Sequence, residues 1–155
     1  MWRATPNSND WNTNGNWTPN TAPTAIATFD ISSVTSLRFS ASSTSVNTLK
    51  FNSGAPGYTF TLVDQCSSLN CGQTLNIQGA GIINNSAAKP TFSINAASSV
   101  VFRNSSSAGD STIRTVDSKG SLLGNLAFLD SSTAANASIT NGAGSLNGGS
   151  IEFGA

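Results

Sequence analysis

A short triplet, one apolar residue, one variable residue and a second apolar residue, returns along most of this chain at nearly constant intervals. It reads Leu49-Lys50-Phe51, Leu75-Asn76-Ile77, Val100-Val101-Phe102, Leu126-Ala127-Phe128 and Ile151-Glu152-Phe153. The last residues stand at 51, 77, 102, 128 and 153, so the steps are 26, 25, 26 and 25. A period of this length marks units that each form one small supersecondary piece and cannot bury an apolar face alone. Side chains alternate across a strand, so the first and third residues of each triplet face one way and the middle residue faces the other. The middle position holds Lys, Asn, Val, Ala and Glu, which predicts a solvent face. The flanking positions predict a core column of Phe51, Ile77, Phe102, Phe128 and Phe153.

The longest register match runs without a gap. Phe102 to Ile113 aligns with Phe128 to Ile139, so a Ser-rich corner, a small Ala position and a second strand ending in Ile recur with the triplet. Phe92-Ser93-Ile94 and the region around Leu122 are candidates for further strands, and Leu37-Arg38-Phe39 is a copy of the triplet that lies off the main spacing. Stacking such units in parallel about 4.8 Å apart would build one shared core. The predicted fold is all-β, a parallel β-solenoid with coils of about 25 residues. An antiparallel sandwich also uses short strands and Gly-rich turns, but it has no reason to repeat at a fixed interval. Asn52-Ser53-Gly54 and Asn141-Gly142 are predicted corners with positive backbone angles.

The repeats occupy 25–155. Residues 1–24 lack the triplet and hold all three tryptophans, Trp2, Trp11 and Trp17. An aromatic segment placed there would cap the open end of the stack. The rival reading makes these rings a contact platform for carbohydrate. At the other end the sequence stops at Gly154-Ala155, directly after a strand, which predicts either further repeats or head-to-tail stacking of one subunit on another into a fibre.

Composition narrows the partners. Seven basic and seven acidic side chains cancel and charged residues are only 9% of the chain, so no field is available to hold nucleic acid. No run approaches the roughly twenty apolar residues that cross a bilayer, so no membrane insertion is expected, and Met1 to Pro6 does not read as a secretion signal. Cys66 and Cys71 are the only cysteines; a short disulfide between them fits an oxidising, extracellular location, against the alternatives of two idle thiols or a zinc site short of ligands.

Catalytic chemistry is thinly supplied. Without histidine the chain lacks the commonest general base and any Ser-His or Cys-His pair. It carries no phosphate-binding loop and no calcium nonapeptide, and no cofactor or metal is predicted. Asp130 aligns with Asn104 and Asp110 with Asn136, as turn-formers or rungs of a polar ladder would. Asp64, Asp117 and Glu152 read as solvated; Tyr58 with Phe60 offers an exposed aromatic contact, against a core reading for Phe60. Flat Thr arrays on β-solenoids can bind ice, but Ser and Thr here read as scattered rather than aligned.

The Asp10-Trp11-Asn12-Thr13, Asn16-Trp17 and Pro23 opening, the segment Gly79 to Ser86 and the unit Ser131 to Asn141 resemble the repeats of bacterial autotransporter-type passenger domains. The resemblance spans nearly the whole chain. It implies a right-handed parallel β-helix exported to the bacterial cell surface, with adhesion or surface structure as its role. The expected function is that of a non-catalytic extracellular rod, self-stacking or part of a longer passenger. The alternative is a module that binds surface glycans.

Overall fold

Alternation of apolar and polar residues makes the strands, and small polar residues end them. In the computed structural model, which describes residues 1–63, 71–116, 122–142 and 148–154, eleven strands follow one another with a single 3-10 turn, Asn14–Asn16, as the helical element. The odd strands are β1 (Ile26–Phe29), β3 (Ser43–Phe51), β5 (Thr74–Asn84), β7 (Ser99–Phe102), β9 (Asn125–Phe128) and β11 (Ser150–Phe153). They form a six-stranded sheet in that order. The even strands are β2 (Ser36–Arg38), β4 (Thr59–Leu62), β6 (Thr91–Ile94), β8 (Thr112–Thr115) and β10 (Ser138–Asn141), and they form a five-stranded sheet, again in sequence order. Every strand pair is parallel, which rules out the antiparallel sandwich. The off-spacing triplet at Leu37 is explained at once: it belongs to the second sheet. Phe92-Ser93-Ile94 lies in β6, and Leu122 makes an isolated bridge.

The two sheets share one core. Phe29 of the six-stranded sheet meets Phe60 of the five-stranded sheet with ring centroids 5.4 Å apart, and both belong to a single cluster of buried apolar side chains. Inside that cluster, like residues stack on like because their strands are hydrogen-bonded neighbours. Phe102 lies 5.1 Å from Phe128 at 11°, and Phe128 lies 5.1 Å from Phe153 at 10°. Such a ring spacing is what in-register strands about 4.8 Å apart dictate.

Registers show where the sequence period holds. Leu75 pairs with Val100, Val100 with Leu126, Leu126 with Ile151, and Ile113 with Ile139, steps of 25, 26, 25 and 26. The core column therefore contains Ile77, Phe102, Phe128 and Phe153. Phe51 departs from the expected column. It pairs with Phe29 on one side and Asn84 on the other, while Ile77 pairs with Val46. The cause is a bulge: between Val46 and Thr48 the partner strand advances from Ile77 to Gly81. Gly79 is needed there because a Cβ would lie 2.7 Å from that of Asn47, and Gly81, at φ 85°, would place one 2.1 Å from the Ser107 carbonyl oxygen. The step from Phe51 to Ile77 is thus not a stacking step.

Two further expectations change. The middle residue of the triplet is exposed at Lys50, yet Val101 and Ala127 are only 7% and 2% exposed, so that position is not uniformly a solvent face. Ala127 is too short to rise above Val101 and Glu152, its neighbours on the flanking strands. Positive φ angles fall at Asn104, Asp130, Ala97 and Ala135 and at Gly81 and Gly109, not at Gly54 or Gly142. Gly142 is required by proximity, since a Cβ would lie 2.5 Å from the Thr115 carbonyl oxygen. Gly109 and Ala135 occupy equivalent positions in successive units, at φ 59° and 49°.

These placements predict opposite signs for two substitutions in one denaturant series. Phe128→Ala, which empties a rung of the ring stack, should cost about 3–5 kcal/mol. Ala135→Gly, which relieves a left-handed alanine, should stabilise by about 1 kcal/mol.

Candidate functional site

The outward face of the five-stranded sheet is a regular polar surface. Each of its strands turns its second residue toward the core and its first and third outward. Pairing aligns the first residues Ser36, Thr59, Thr91, Thr112 and Ser138 in one column. The third residues, Arg38, Thr61, Ser93, Arg114 and Thr140, form a second. Ser and Thr are therefore aligned on this sheet, not scattered as their spacing in the sequence implies. The steps along it are uneven: Leu37 to Phe60 is 23, Phe60 to Phe92 is 32, and Phe92 to Ile113 is 21. A search at a fixed period cannot find such columns. None of the eight hydroxyls makes a hydrogen bond to a described residue, and neither guanidinium is paired with one. The two arginines are exposed side chains within an otherwise low relief, so the array is not the uncharged flat surface that ice would need.

The tryptophan segment is placed differently from a contact platform. Trp2, Trp11 and Trp17 are all buried. Trp17 meets Trp2 and Trp11 edge to face at 5.0 and 4.9 Å, and Trp11 stacks on Phe39 at 5.6 Å. Two of the indole N–H groups are satisfied internally: Trp2 Nε1 donates to the Val34 carbonyl at 2.9 Å and Trp17 Nε1 to the Trp11 carbonyl at 2.7 Å. Buried in this way, no ring is left to stack on a sugar, which removes these three residues as contact candidates. The backbone of the segment meets the edges of both sheets. Trp2 N–H donates to the Thr28 carbonyl of β1 at 2.8 Å, Trp11 N–H donates to the Arg38 carbonyl of β2 at 2.8 Å, and Arg38 N–H donates to the Asn9 carbonyl at 2.9 Å. Strand edges that would template further pairing are thereby occupied.

Asp10, Asp110 and Asp130 bond to nearby backbone or side-chain amides, and the buried Asp110 Oδ1 has no hydrogen-bond partner among the described residues. Asp130 Oδ2 accepts from the Asn104 N–H at 2.8 Å, and both residues sit at positive φ, so this aligned pair forms the corner. Asp110 Oδ2 accepts from Asn84 Nδ2 at 3.2 Å. Asp10 is consumed by its own turn and by Ser40. Among the described residues no group of three or more His, Cys, Asp or Glu side chains converges as metal ligands would. Cys66 lies outside the described residues, as do Asp64 and Asp117; no described cysteine is free. A shallow groove of about 300 Å³ opens at the rim of the tryptophan segment, lined by Met1, Pro19, Ala22, Pro23 and Ile26 among others. None of the side chains lining it is ionisable. Among the described residues, no helix is long and apolar enough to cross a membrane.

Comparison with known proteins finds no matching family model, no matching curated protein and no matching solved structure.

Tyr58 and Phe60 are both buried, and the Tyr58 hydroxyl donates to the Asp30 carbonyl at 2.5 Å. Burial, first, and the nearby Asp30 charge push the phenol up to about 12 from 10.0, against the opposing hydrogen bond of Ser32. The folded state binds this proton more tightly than the unfolded state does. The resulting stability is complete below about pH 10 and is lost as pH rises toward 12. Tyr58 is the sole tyrosine, so an ultraviolet phenolate titration reads it directly. The folded chain should ionise near pH 12 and the urea-unfolded chain near 10; coincident curves would contradict the buried placement.

Proposed function

We propose that the two parallel sheets are opposite walls of a right-handed β-solenoid with coils of about 25 residues, and that the chain is a non-catalytic extracellular structural and adhesive rod. The observation that carries this reading is the unbroken in-register stacking from β5 to β11, closed on the opposite side by the buried tryptophan segment. A stack of this kind is stiffened by backbone ladders and ring columns, and it offers long polar faces. The likeness to autotransporter-type passenger repeats supports a place at the bacterial cell surface. The alignment of Asp130 with Asn104 at a corner supports structural use of the acids. A disulfide between Cys66 and Cys71 belongs to the same proposal.

Of the two partners expected, further repeats of the same kind fit better than head-to-tail self-stacking. A second copy would need the β1 and β2 edges, and these are taken by the backbone of Trp2, Asn9 and Trp11. On the opposite side β10 and β11 are edge strands, and Phe153 is 69% exposed on top of Phe128. The glycan-binding alternative moves from the tryptophans to the outer sheet faces.

Beads coated with the folded chain should adhere to polysaccharide-coated surfaces, and beads coated with the heat-unfolded chain should not. Equal attachment by both would remove the adhesive reading. Release of reducing ends from any offered polysaccharide, above that of a buffer control, would contradict the non-catalytic one.

A further inference from the structure

The hydroxyl columns of the five-stranded sheet acquire a direction from their two arginines. Of ten outward positions on β2, β4, β6, β8 and β10, eight carry hydroxyls and two carry guanidinium groups. No acid stands among them. Arg38 and Arg114 occupy the same column, separated by the short side chains of Thr61 and Ser93. Three strand steps of about 4.8 Å put the two cations roughly 14 Å apart along the stack. They are two posts at either end of a low, hydroxyl-lined floor.

We propose that this trough binds an extended acidic polysaccharide laid along the stacking direction, its carboxylate or sulfate groups held by Arg38 and Arg114 and its hydroxyls by the Ser and Thr columns. The proposal rests on the adhesive reading and names its ligand. Charge complementarity is the reason for an anion: both guanidinium groups lack partners among the described residues, and their planar forks match carboxylate and sulfate oxygens in pairs. Hydroxyl complementarity is the reason for a sugar polymer. Each Ser or Thr supplies one donor and two acceptor lone pairs, and all eight hydroxyls are free of described partners. A nucleic acid fits poorly, because duplex DNA places one charge about every 1.7 Å of axis, far denser than two cations along this floor.

The two posts are unequal. Asp10 forms a parallel bridge with Arg38, so its carboxylate stands beside that post, although its oxygens are engaged by Thr13, Ser40 and the Asn12 N–H. Arg114 sits on β8, where no acid occupies a neighbouring outward position, and it carries the larger share of the attraction.

The test measures binding of the purified chain to a polyuronate, to sulfated dextran and to unsubstituted dextran by biolayer interferometry. At least one of the two acidic polymers should bind, the neutral one should not, and affinity should fall as salt rises. Comparing the polyuronate with the sulfated polymer distinguishes carboxylate from sulfate recognition. Exposed charge contacts are individually modest, so Arg114→Gln should weaken binding about fivefold and the Arg38→Gln/Arg114→Gln pair roughly tenfold. Circular dichroism should show both variants folded. The charge-matched pair Lys50→Gln/Arg103→Gln, associated with the other sheet, should bind as the native chain does. Equal losses from both pairs, or binding to neutral dextran as strong as to the acidic polymers, would overturn the trough. Ice-recrystallisation inhibition that survives removal of both arginines would overturn it in favour of a water lattice. If beads bearing the Arg38→Gln/Arg114→Gln chain still adhere fully, the adhesive reading stands and the trough alone falls.

Discussion

Parallel pairing of each strand with the one two places further along the chain is the constraint on which everything else depends. It forces equivalent residues into vertical rows about 4.8 Å apart, and each row must then be chemically consistent with itself. Inside, the consistent choice is a flat apolar side chain, hence the stacked Phe102, Phe128 and Phe153 rings. Outside, it is a small hydroxyl or a solvated charge. At the corners it is a residue that can complete the turn above it, as Asp130 does for Asn104. One geometric rule thus fixes three kinds of residue.

A stack also has ends, and the segment that carries the three tryptophans shows how one of them is managed. The tryptophans supply bulk to cover the terminal layer of the core, and the backbone around Trp2 and Trp11 supplies hydrogen bonds to the outermost strands. Neither contribution would suffice alone. A purely apolar lid would leave strand N–H and C=O groups unpaired, and a purely polar one would leave Phe29 and Phe39 in water. The Trp17 indole links the two by packing between Trp2 and Trp11 while donating to the Trp11 carbonyl.

How much of this was legible in the sequence follows from how evenly the connections are spaced. From Leu75 onward the odd strands recur at the interval of the triplet, so the column of Ile77, Phe102, Phe128 and Phe153 can be read directly. Before that, the bulge at Gln78 to Ala80 inserts residues into β5, and the matching interval from Phe51 to Ile77 is a coincidence. The Ser and Thr columns were hidden for a related reason. Their strands are short and their steps vary from 21 to 32, so alignment appears only once hydrogen-bonded partners are known. The left-handed angles at Asn104 and Asp130 suit residues that adopt them readily. Those at Ala97 and Ala135 carry no local signal, because alanine does not favour that region.

Backbone nuclear Overhauser effects offer the most direct trial of in-register parallel stacking, and the informative pairs are Val100 with Leu126 and Leu126 with Ile151. The account predicts inter-strand amide-to-Hα contacts around these pairs, without the close Hα–Hα contacts of antiparallel neighbours. Strong Hα–Hα cross-peaks between consecutive strands, or the absence of any contact between the Phe102 and Phe128 rings, would contradict it.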